Sequence, residues 1–151
     1  MNNATGSSSD RAAVGFSLLV VRVVSGAIFA AHGAQKLLGA FDGAGLQATV
    51  EKMGTMGYPV TIGEFFGGLG LMIGLLTRFS AGSLIVIMVG AIWMVHGKNG
   101  FFLANSGFEY NLALIGLLVP TFLAGPGMLS IGRVLPLPKS GRTGRPLALL
   151  E

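Results

Sequence analysis

Four long apolar segments contain most of the hydrophobic positions in the chain. They run over Ala12–Leu38, Val60–Leu76, Phe79–His96 and Tyr110–Leu129. A helix needs about 20 predominantly apolar residues to cross the hydrocarbon core of a bilayer, and each segment reaches or nearly reaches that length. Arg78 is the one charge between the second and third segments, which indicates a tight hairpin there. The pattern therefore predicts an all-α, integral membrane four-helix bundle.

The remaining stretches are shorter and more polar. Leu46, Val50 and Met53 recur at spacings of four and three in the loop 39–59, which predicts a short helix lying on the membrane surface. Composition divides the chain into three parts. They are a disordered N-terminus over 1–11, a four-span membrane domain over 12–135 and a basic, flexible C-terminal tail over 136–151.

Composition supports the membrane assignment. Hydrophobic residues make up 52% of the chain and charged residues 11%, and the mean hydropathy is +0.73. Soluble domains carry about 25% charged residues, so a soluble fold of this size could not cover its surface with so few. The basic residues form no stripe with interleaved aromatics, which excludes nucleic acid as an expected partner. Cysteine is absent, so the chain performs no thiol chemistry itself.

The distribution of basic residues predicts the orientation. Four spans place both termini on one side, and six of the ten Lys and Arg fall there: Arg11, Arg78, Arg133, Lys139, Arg142 and Arg145. Lys36, Lys52 and Lys98 fall on the other side, and Arg22 lies within the first span. The positive-inside rule then places both termini in the cytoplasm, where the basic tail would contact anionic lipid headgroups. A cleaved signal peptide is disfavoured, because no basic residue precedes Arg11 and Arg22 interrupts the apolar run.

Every predicted span delivers polar residues to the opposite, outer leaflet. Six of them are candidates for ligand binding or proton relay because this topology brings them to the same depth. They are His32, Gln35, Lys36, Glu64, His96 and Glu109. No residue is assigned a catalytic role.

Helical spacing places the polar candidates on glycine-bearing stripes that are predicted to face other helices. The stripes are Arg22–Gly26–Phe29–Gly33–Lys36 in the first span, Glu64–Gly67 or Gly68–Leu71–Leu75 in the second, and Glu109–Ala113–Gly116–Pro120 in the fourth. The pairs Gly63/Gly67 and Gly70/Gly74 further predict close packing of the second span at the centre.

Glu64 is the strongest site candidate, because a charge inside a span costs about 2.5–3.5 kcal/mol at a helix centre on insertion scales. It could pair with Lys36 or accept a hydrogen bond from His32 or His96. Two interpretations stay open: a site for a ligand headgroup or a proton, and a structural ion pair that ties helices together. For Lys36 the alternative is snorkelling to the interface, and for Glu109 it is a solvated helix end near the N-terminal dipole.

Arg22 and the two histidines are less informative. Arg22 is an intramembrane charge that could snorkel to the inner headgroups, donate to carbonyls freed near Pro120, or face a cavity. His32 and His96 lie on different spans at similar depth, as bis-histidine haem ligation requires. Two histidines without a flanking motif do not carry that assignment, and no metal site is predicted.

Four sequence elements occur in order between Phe16 and Arg133: RVVSGAIFAAHGAQKLLGAF, GEFFGGLGLMIGLLTR, HGKNGFF followed by GFEYNLAL, and GPGMLSIGR. Together they resemble the DoxX family of small four-helix bacterial membrane proteins. The family pattern often ends in Ser-Leu-Asp, whereas this chain has Ser130, Ile131 and Gly132. An acidic group at the inner end of the fourth span is therefore missing, and any role resting on it is in doubt.

The resemblance implies a multi-pass protein of the bacterial cytoplasmic (inner) membrane, related to subunits of quinone-linked oxidoreductases such as thiosulfate:quinone oxidoreductase and to redox-stress complexes. The sequence carries no flavin or Fe–S motif, so the chain would be a subunit without the redox centre, and whether it is itself an enzyme stays open. No covalently bound cofactor is expected. A quinone would accept hydrogen bonds from Lys36, His32 and His96, and Glu64 or Glu109 would relay protons.

Two other hypotheses remain. The first is a non-enzymatic scaffold that recruits an extracytoplasmic enzyme as protein partner through the loops Gly39–Pro59 and Lys98–Phe108, whose aromatic residues suit docking. The second is a small transporter that uses Arg22 and Glu64 along a path, which would require oligomerisation of so small a chain. The glycine-rich faces leave a homo-oligomer open.

Overall fold

The structure, a computed structural model, describes residues 8–134 and is helical without strands over that range. Its α-helices are α1 (Ser8–Leu38), α2 (Gly45–Met53), α3 (Gly57–Ile73), α4 (Thr77–Ala91), α5 (Glu109–Ala124) and α6 (Ile131–Val134). The all-α prediction is confirmed. Within the described range, two helical stretches are long and apolar enough to cross a membrane, Ser8–Leu38 and Thr77–Asn99, and Glu109–Ala124 is a shorter apolar helix. The predictions for residues 1–7 and for the tail 136–151 fall outside the described residues.

Helix α1 begins earlier than the hydrophobic pattern indicates. It starts at Ser8 rather than Ala12, so residues 8–11 of the predicted disordered N-terminus are helical. Asp10 lies in the first turn, where a carboxylate interacts favourably with the positive end of the helix dipole. The 31 residues of α1 give a helix about 46 Å long, which is longer than the hydrocarbon core of a bilayer.

The predicted hairpin after the second span is present. The helix before it ends at Ile73, three residues earlier than the expected Leu76. Helix α3 stops at Ile73, and Gly74 adopts the left-handed conformation with φ 72° that closes the helix. Leu76 is also left-handed, with φ 48°. Arg78 consequently lies in the first turn of α4, rather than in the connection itself.

The last two spans end differently from each other. Helix α4 continues into a π turn over Ile92–His96 and a 3₁₀ turn over Gly97–Asn99, in place of a uniform α-helix up to His96. Helix α5 ends at Ala124, five residues before the predicted Leu129. Gly125 has φ 87° and Pro126 follows it, a combination that stops a helix whatever the hydropathy of the next residues.

Helix α1 packs most extensively against α3, and α5 lies against both α4 and α1. The α1–α3 contact is close because glycines from both helices meet there: a Cβ on Gly68 would lie 2.7 Å from the carbonyl oxygen of Gly26. The pair Gly63 and Gly67 instead faces α4, where the Ile87 and Leu84 side chains fill the space. The predicted close packing of α3 is therefore present on two sides, with Gly68 against α1 and Gly63 and Gly67 against α4. Leucine, phenylalanine and methionine side chains form the apolar core: Phe29, Leu71, Leu84, Met88, Leu114 and Leu118.

The predicted contact stripe of the fourth span was wrong. Ala113, Gly116 and Pro120 are exposed and Glu109 is half-buried, and a Cβ on Gly116 would meet nothing within 4 Å. The buried face of α5 is Asn111, Leu114, Leu118 and Thr121. Apolar residues cover both sides of this helix, so hydrophobicity alone could not distinguish them. The short helix predicted around Leu46 to Met53 is present as α2.

Candidate functional site

A buried ion pair joins α1 to α3. The ammonium nitrogen of Lys36 lies 2.7 Å from Oε1 and 2.6 Å from Oε2 of Glu64. The Glu64 side chain is 4% exposed and the Lys36 side chain 33% exposed. The carboxylate is therefore enclosed by the protein, whereas the lysine side chain is partly exposed. We call this contact the α1–α3 ion pair.

The glycine pattern of α1 brings the two charges together. Gly33 lies one turn before Lys36, and a Cβ at that position would collide with the backbone of Phe65, the residue after Glu64. Only a residue without a side chain allows the helices to approach this closely. Both stripes predicted for this contact are supported by burial: Arg22, Gly26, Phe29 and Gly33 on α1, and Glu64, Gly68 and Leu71 on α3.

Helix α2 and the loop before it lie beside this end of α1. Gly43 packs directly against the backbone of Gln35, so a Cβ there would lie 2.6 Å from the Gln35 Cα. Gln35 is half-buried. The Thr49 hydroxyl of α2 donates to the Gly45 carbonyl at 2.8 Å and lies 3.5 Å from the Lys36 carbonyl oxygen. The segment after α1 therefore folds back onto the helical turn that carries the ion pair.

The other polar candidates make separate contacts. The His32 ring packs edge-on against Tyr110 at the start of α5, with ring centroids 6.2 Å apart. Glu109, the candidate on α5, lies in the first turn of that helix and is half-buried. His96 Nδ1 lies 2.8 Å from the carbonyl oxygen of Ser106, so this histidine fastens the loop between α4 and α5. Within residues 8–134, no group of three metal-ligating side chains comes together.

Arg22 occupies the opposite end of the same α1 stripe. It is 1% exposed, and its Nη2 donates to the Leu129 carbonyl at 2.8 Å. Of the three environments predicted for Arg22, the structure shows hydrogen bonding to a backbone carbonyl. The acceptor, however, lies beyond α5 rather than near Pro120. Rise along the helix separates Arg22 from Lys36 by about 21 Å, which explains why it does not reach Glu64.

The segment Gly127–Gly132, which we call the C-terminal clasp, is fastened to α1 and to the α3–α4 turn. The Met128 amide donates to the Gly15 carbonyl at 3.2 Å. The Ser130 hydroxyl donates to the Gly74 carbonyl at 2.7 Å, and the Gly132 amide donates to the same oxygen at 3.1 Å. The residue at the position of the missing acidic group thus contributes a backbone hydrogen bond.

Sequence reasoning missed Asn111. Its side chain is buried in α5, and Nδ2 lies 3.4 Å from the Met88 sulfur of α4, a weak acceptor. The sequence contains a pattern that indicates this burial. The spacing three-four-three of one helix face is followed by Asn111, Leu114, Leu118 and Thr121. Thr61, one turn before Glu64 on α3, was also missed and is fully buried.

Comparisons with known proteins agree with the sequence motifs. The profile of the family described as DoxX matches residues 17–97, which is more than half of the 151 residues. No solved structure gives a significant match to the chain.

Two curated relatives align over most of their length. The chain is 31% identical over 121 residues to "Inner membrane protein YqjF" of Escherichia coli (strain K12), covering 78% of this chain and 91% of the relative. It is 30% identical over 105 residues to "Putative oxidoreductase CatD" of Bacillus subtilis (strain 168), covering 66% of this chain and 73% of the relative. On the strength of the family profile and these alignments, the chain belongs to the DoxX family of membrane proteins.

Proposed function

We propose that the chain is a multi-pass protein of the bacterial cytoplasmic membrane in which α1, α3, α4 and α5 cross the bilayer and both termini face the cytoplasm. Large apolar side chains exposed along these helices support the proposal, because lipid rather than water would then surround them. Phe16, Phe66, Val86 and Phe122 are examples, with exposures between 44% and 71%. The relative from Escherichia coli is named an inner membrane protein.

Single cysteines provide a direct test of this topology, because the chain has none of its own. Thr55→Cys would be placed between α2 and α3, on the proposed outer side, and Ser8→Cys at the start of α1, on the proposed inner side. A membrane-impermeant thiol reagent should label the first variant in intact spheroplasts and the second only after lysis. Labelling in the reverse order would contradict the orientation.

Within this topology, the chain would serve as the membrane subunit of a quinone-linked oxidoreductase, with the α1–α3 ion pair contributing to the quinone site. The relative from Bacillus subtilis carries the name "Putative oxidoreductase CatD". The observation that carries the proposal is the unequal burial of the pair, 4% for Glu64 and 33% for Lys36. A pair enclosed on both sides would be closed to a ligand, whereas the partly exposed lysine side chain leaves an approach to this one.

The donor set fits a quinone carbonyl. An ammonium group has three N–H donors, and at most two of them are directed at the Glu64 oxygens. At least one therefore remains for an acceptor that approaches from the exposed side of Lys36. A bound quinone would supply the two-electron chemistry, with electrons from a partner subunit. Lys36 would hold and orient the carbonyl, and Glu64 would keep the ammonium in place and take part in moving a proton.

The test is the amount of quinone that remains with the protein after purification in mild detergent. Wild-type protein is expected to retain quinone, and Lys36→Ala and Glu64→Gln are expected to lose it. Lys52→Ala and Glu51→Gln are matched controls, because both side chains lie exposed on α2. The exchanged pair Lys36→Glu/Glu64→Lys distinguishes ligand binding from structure, since it restores an ion pair without restoring the accessible donor. Quinone retained by folded Lys36→Ala protein would refute the proposal.

A scaffold for an extracytoplasmic partner is the second candidate, because apolar side chains are exposed beyond the outer end of α4. Trp93 is 87% exposed, Met94 69% and Phe102 64%. Such side chains serve either at the membrane interface or in docking. Cross-linking in intact cells from a photoreactive residue in place of the exposed Leu103 would distinguish these roles. A specific protein adduct that is lost when Phe102→Ser is added favours the scaffold, and lipid contacts alone argue against it.

A further inference from the structure

A groove runs between α4 and α5 at the end of the bundle opposite the α1–α3 ion pair. Its volume is about 440 Å³, within the range of small-ligand sites. Arg78 lies at one end, and Phe79, Val86, Phe122 and Leu123 form the walls. These four apolar side chains are 44% to 71% exposed. The groove is therefore open along its length to whatever surrounds the helices.

Arg78 is positioned by α5 but retains donors. Its Nη2 donates to the Leu123 carbonyl at 3.1 Å, in the last turn of α5. A guanidinium group has five N–H donors, and the Leu123 carbonyl takes one of them. The arginine is half-buried and lines the groove, so donors remain for an acceptor at this end. Guanidinium groups match the oxygen geometry of phosphate closely.

Gly82 lies one turn after Arg78 on α4 and lines the groove. The Phe122 ring packs against it, since a Cβ there would lie 3.1 Å from that ring, so the two residues form a continuous apolar surface beside the arginine. Rise along α4 from Arg78 to Val86 is about 12 Å, which is the length of the upper half of an acyl chain. The groove thus combines a cationic end with an apolar track of lipid dimensions.

We propose that this α4–α5 groove binds an anionic phospholipid, with the phosphate on Arg78 and one acyl chain along Gly82 and Val86. The inference rests on the four-span arrangement proposed above, which places Arg78 at the cytoplasmic headgroup level. A free phosphate ester would use the arginine without the apolar track, so the walls favour the lipid as the source of the phosphate.

A second groove shows why the charge of Arg78 matters. It lies between the start of α1 and the C-terminal clasp, also has a volume of about 440 Å³, and is lined by both Asp10 and Arg11. A phosphate there would meet a carboxylate. In the α4–α5 groove, Arg78 is the charged residue among the described lining residues, so charge complementarity selects this groove for an anion.

The test uses the full-length, delipidated protein in detergent and native mass spectrometry with phosphatidylglycerol or phosphatidylcholine added. Wild-type protein should bind phosphatidylglycerol more tightly than phosphatidylcholine. Arg78→Gln should weaken phosphatidylglycerol binding about tenfold because a charge-assisted contact is lost, and weaken phosphatidylcholine binding less, because the choline cation already offsets the charge of its phosphate. Gly82→Leu should weaken both by filling the track. Arg11→Gln is the matched control and should have no effect.

Three results would overturn the inference. They are equal affinity of the wild-type protein for the two lipids, an equal loss in Arg11→Gln, and displacement of the lipid by glycerol phosphate, which would identify a simple phosphate site. If Arg78→Gln does not fold, Gly82→Leu and the wild-type lipid comparison still decide. The measurement is independent of quinone and of the thiol-labelling pattern, so failure of this inference and failure of the proposed function are distinguishable.

Discussion

Removal of the Lys36 ammonium group should destabilise the protein more than the partial exposure of this side chain suggests. In Lys36→Met, the Glu64 carboxylate would lose both short contacts to the ammonium while its side chain stays 4% exposed. Breaking a buried pair from one side costs about 3–5 kcal/mol. Water reaches the 33% exposed lysine, which reduces the strength of the wild-type pair, so we expect a loss of about 2–3 kcal/mol. The loss has an upper limit, since an isolated buried carboxylate can take up a proton.

Thermal unfolding in detergent, followed by circular dichroism, measures this loss. A change of 1 kcal/mol shifts the Tm of a chain this long by about 2–4 °C, so Lys36→Met should melt about 4–12 °C below wild type. Lys52→Met, exposed on α2, should change stability by less than about 0.5 kcal/mol. The double variant Lys36→Met/Glu64→Met should recover most of the loss, because no unpaired charge remains. A Lys36→Met protein as stable as Lys52→Met, or a double variant less stable than either single one, would refute this reasoning.

Two further predictions concern the helix contacts. Gly33→Ala should lower the free energy of unfolding by at least about 2 kcal/mol, because its Cβ would collide with the Phe65 backbone. Gly116→Ala, in open surroundings, should raise it by about 0.5–1 kcal/mol. Thermal unfolding in detergent measures both, and equal effects would contradict the close α1–α3 approach. Arg22→Met should raise amide hydrogen exchange in the C-terminal clasp about tenfold or more, because a charge-assisted bond to the Leu129 carbonyl is lost. Unchanged clasp protection relative to an Arg11→Gln control would argue that the other clasp hydrogen bonds suffice.

The sequence predicted the helices better than their ends. Runs of apolar residues that reach or nearly reach the length of a membrane span identify α1, α3, α4 and α5, because few other structures require such runs. The ends depend on local backbone chemistry instead. Gly74 and the Gly125–Pro126 pair terminate α3 and α5 although the residues that follow are still apolar. A hydropathy window cannot detect this, since leucine and methionine are equally apolar inside and outside a helix.

The candidate site was predictable only where two independent signals coincided. Lys36 and Glu64 lay at the same predicted depth and each shared a stripe with glycines, and they are the pair that the structure brings into contact. Glu109 shared the depth, but its stripe faces outward. Apolar side chains lie on both the exposed and the buried faces of α5, so the buried amide of Asn111 would have been a better guide to its packed face than any glycine.

Helix α1 carries two cations on one stripe, and the structure gives them different roles. Arg22 is buried and bonded to a backbone carbonyl of the C-terminal clasp, an acceptor that no change of protonation can remove. Lys36 is partly exposed and bonded to a carboxylate, an acceptor that can gain a proton or share its donor with a ligand. The glycines between them hold α1 tightly against α3. Any response to a ligand should therefore begin at the Lys36 end, while the Arg22 end keeps the helix in place.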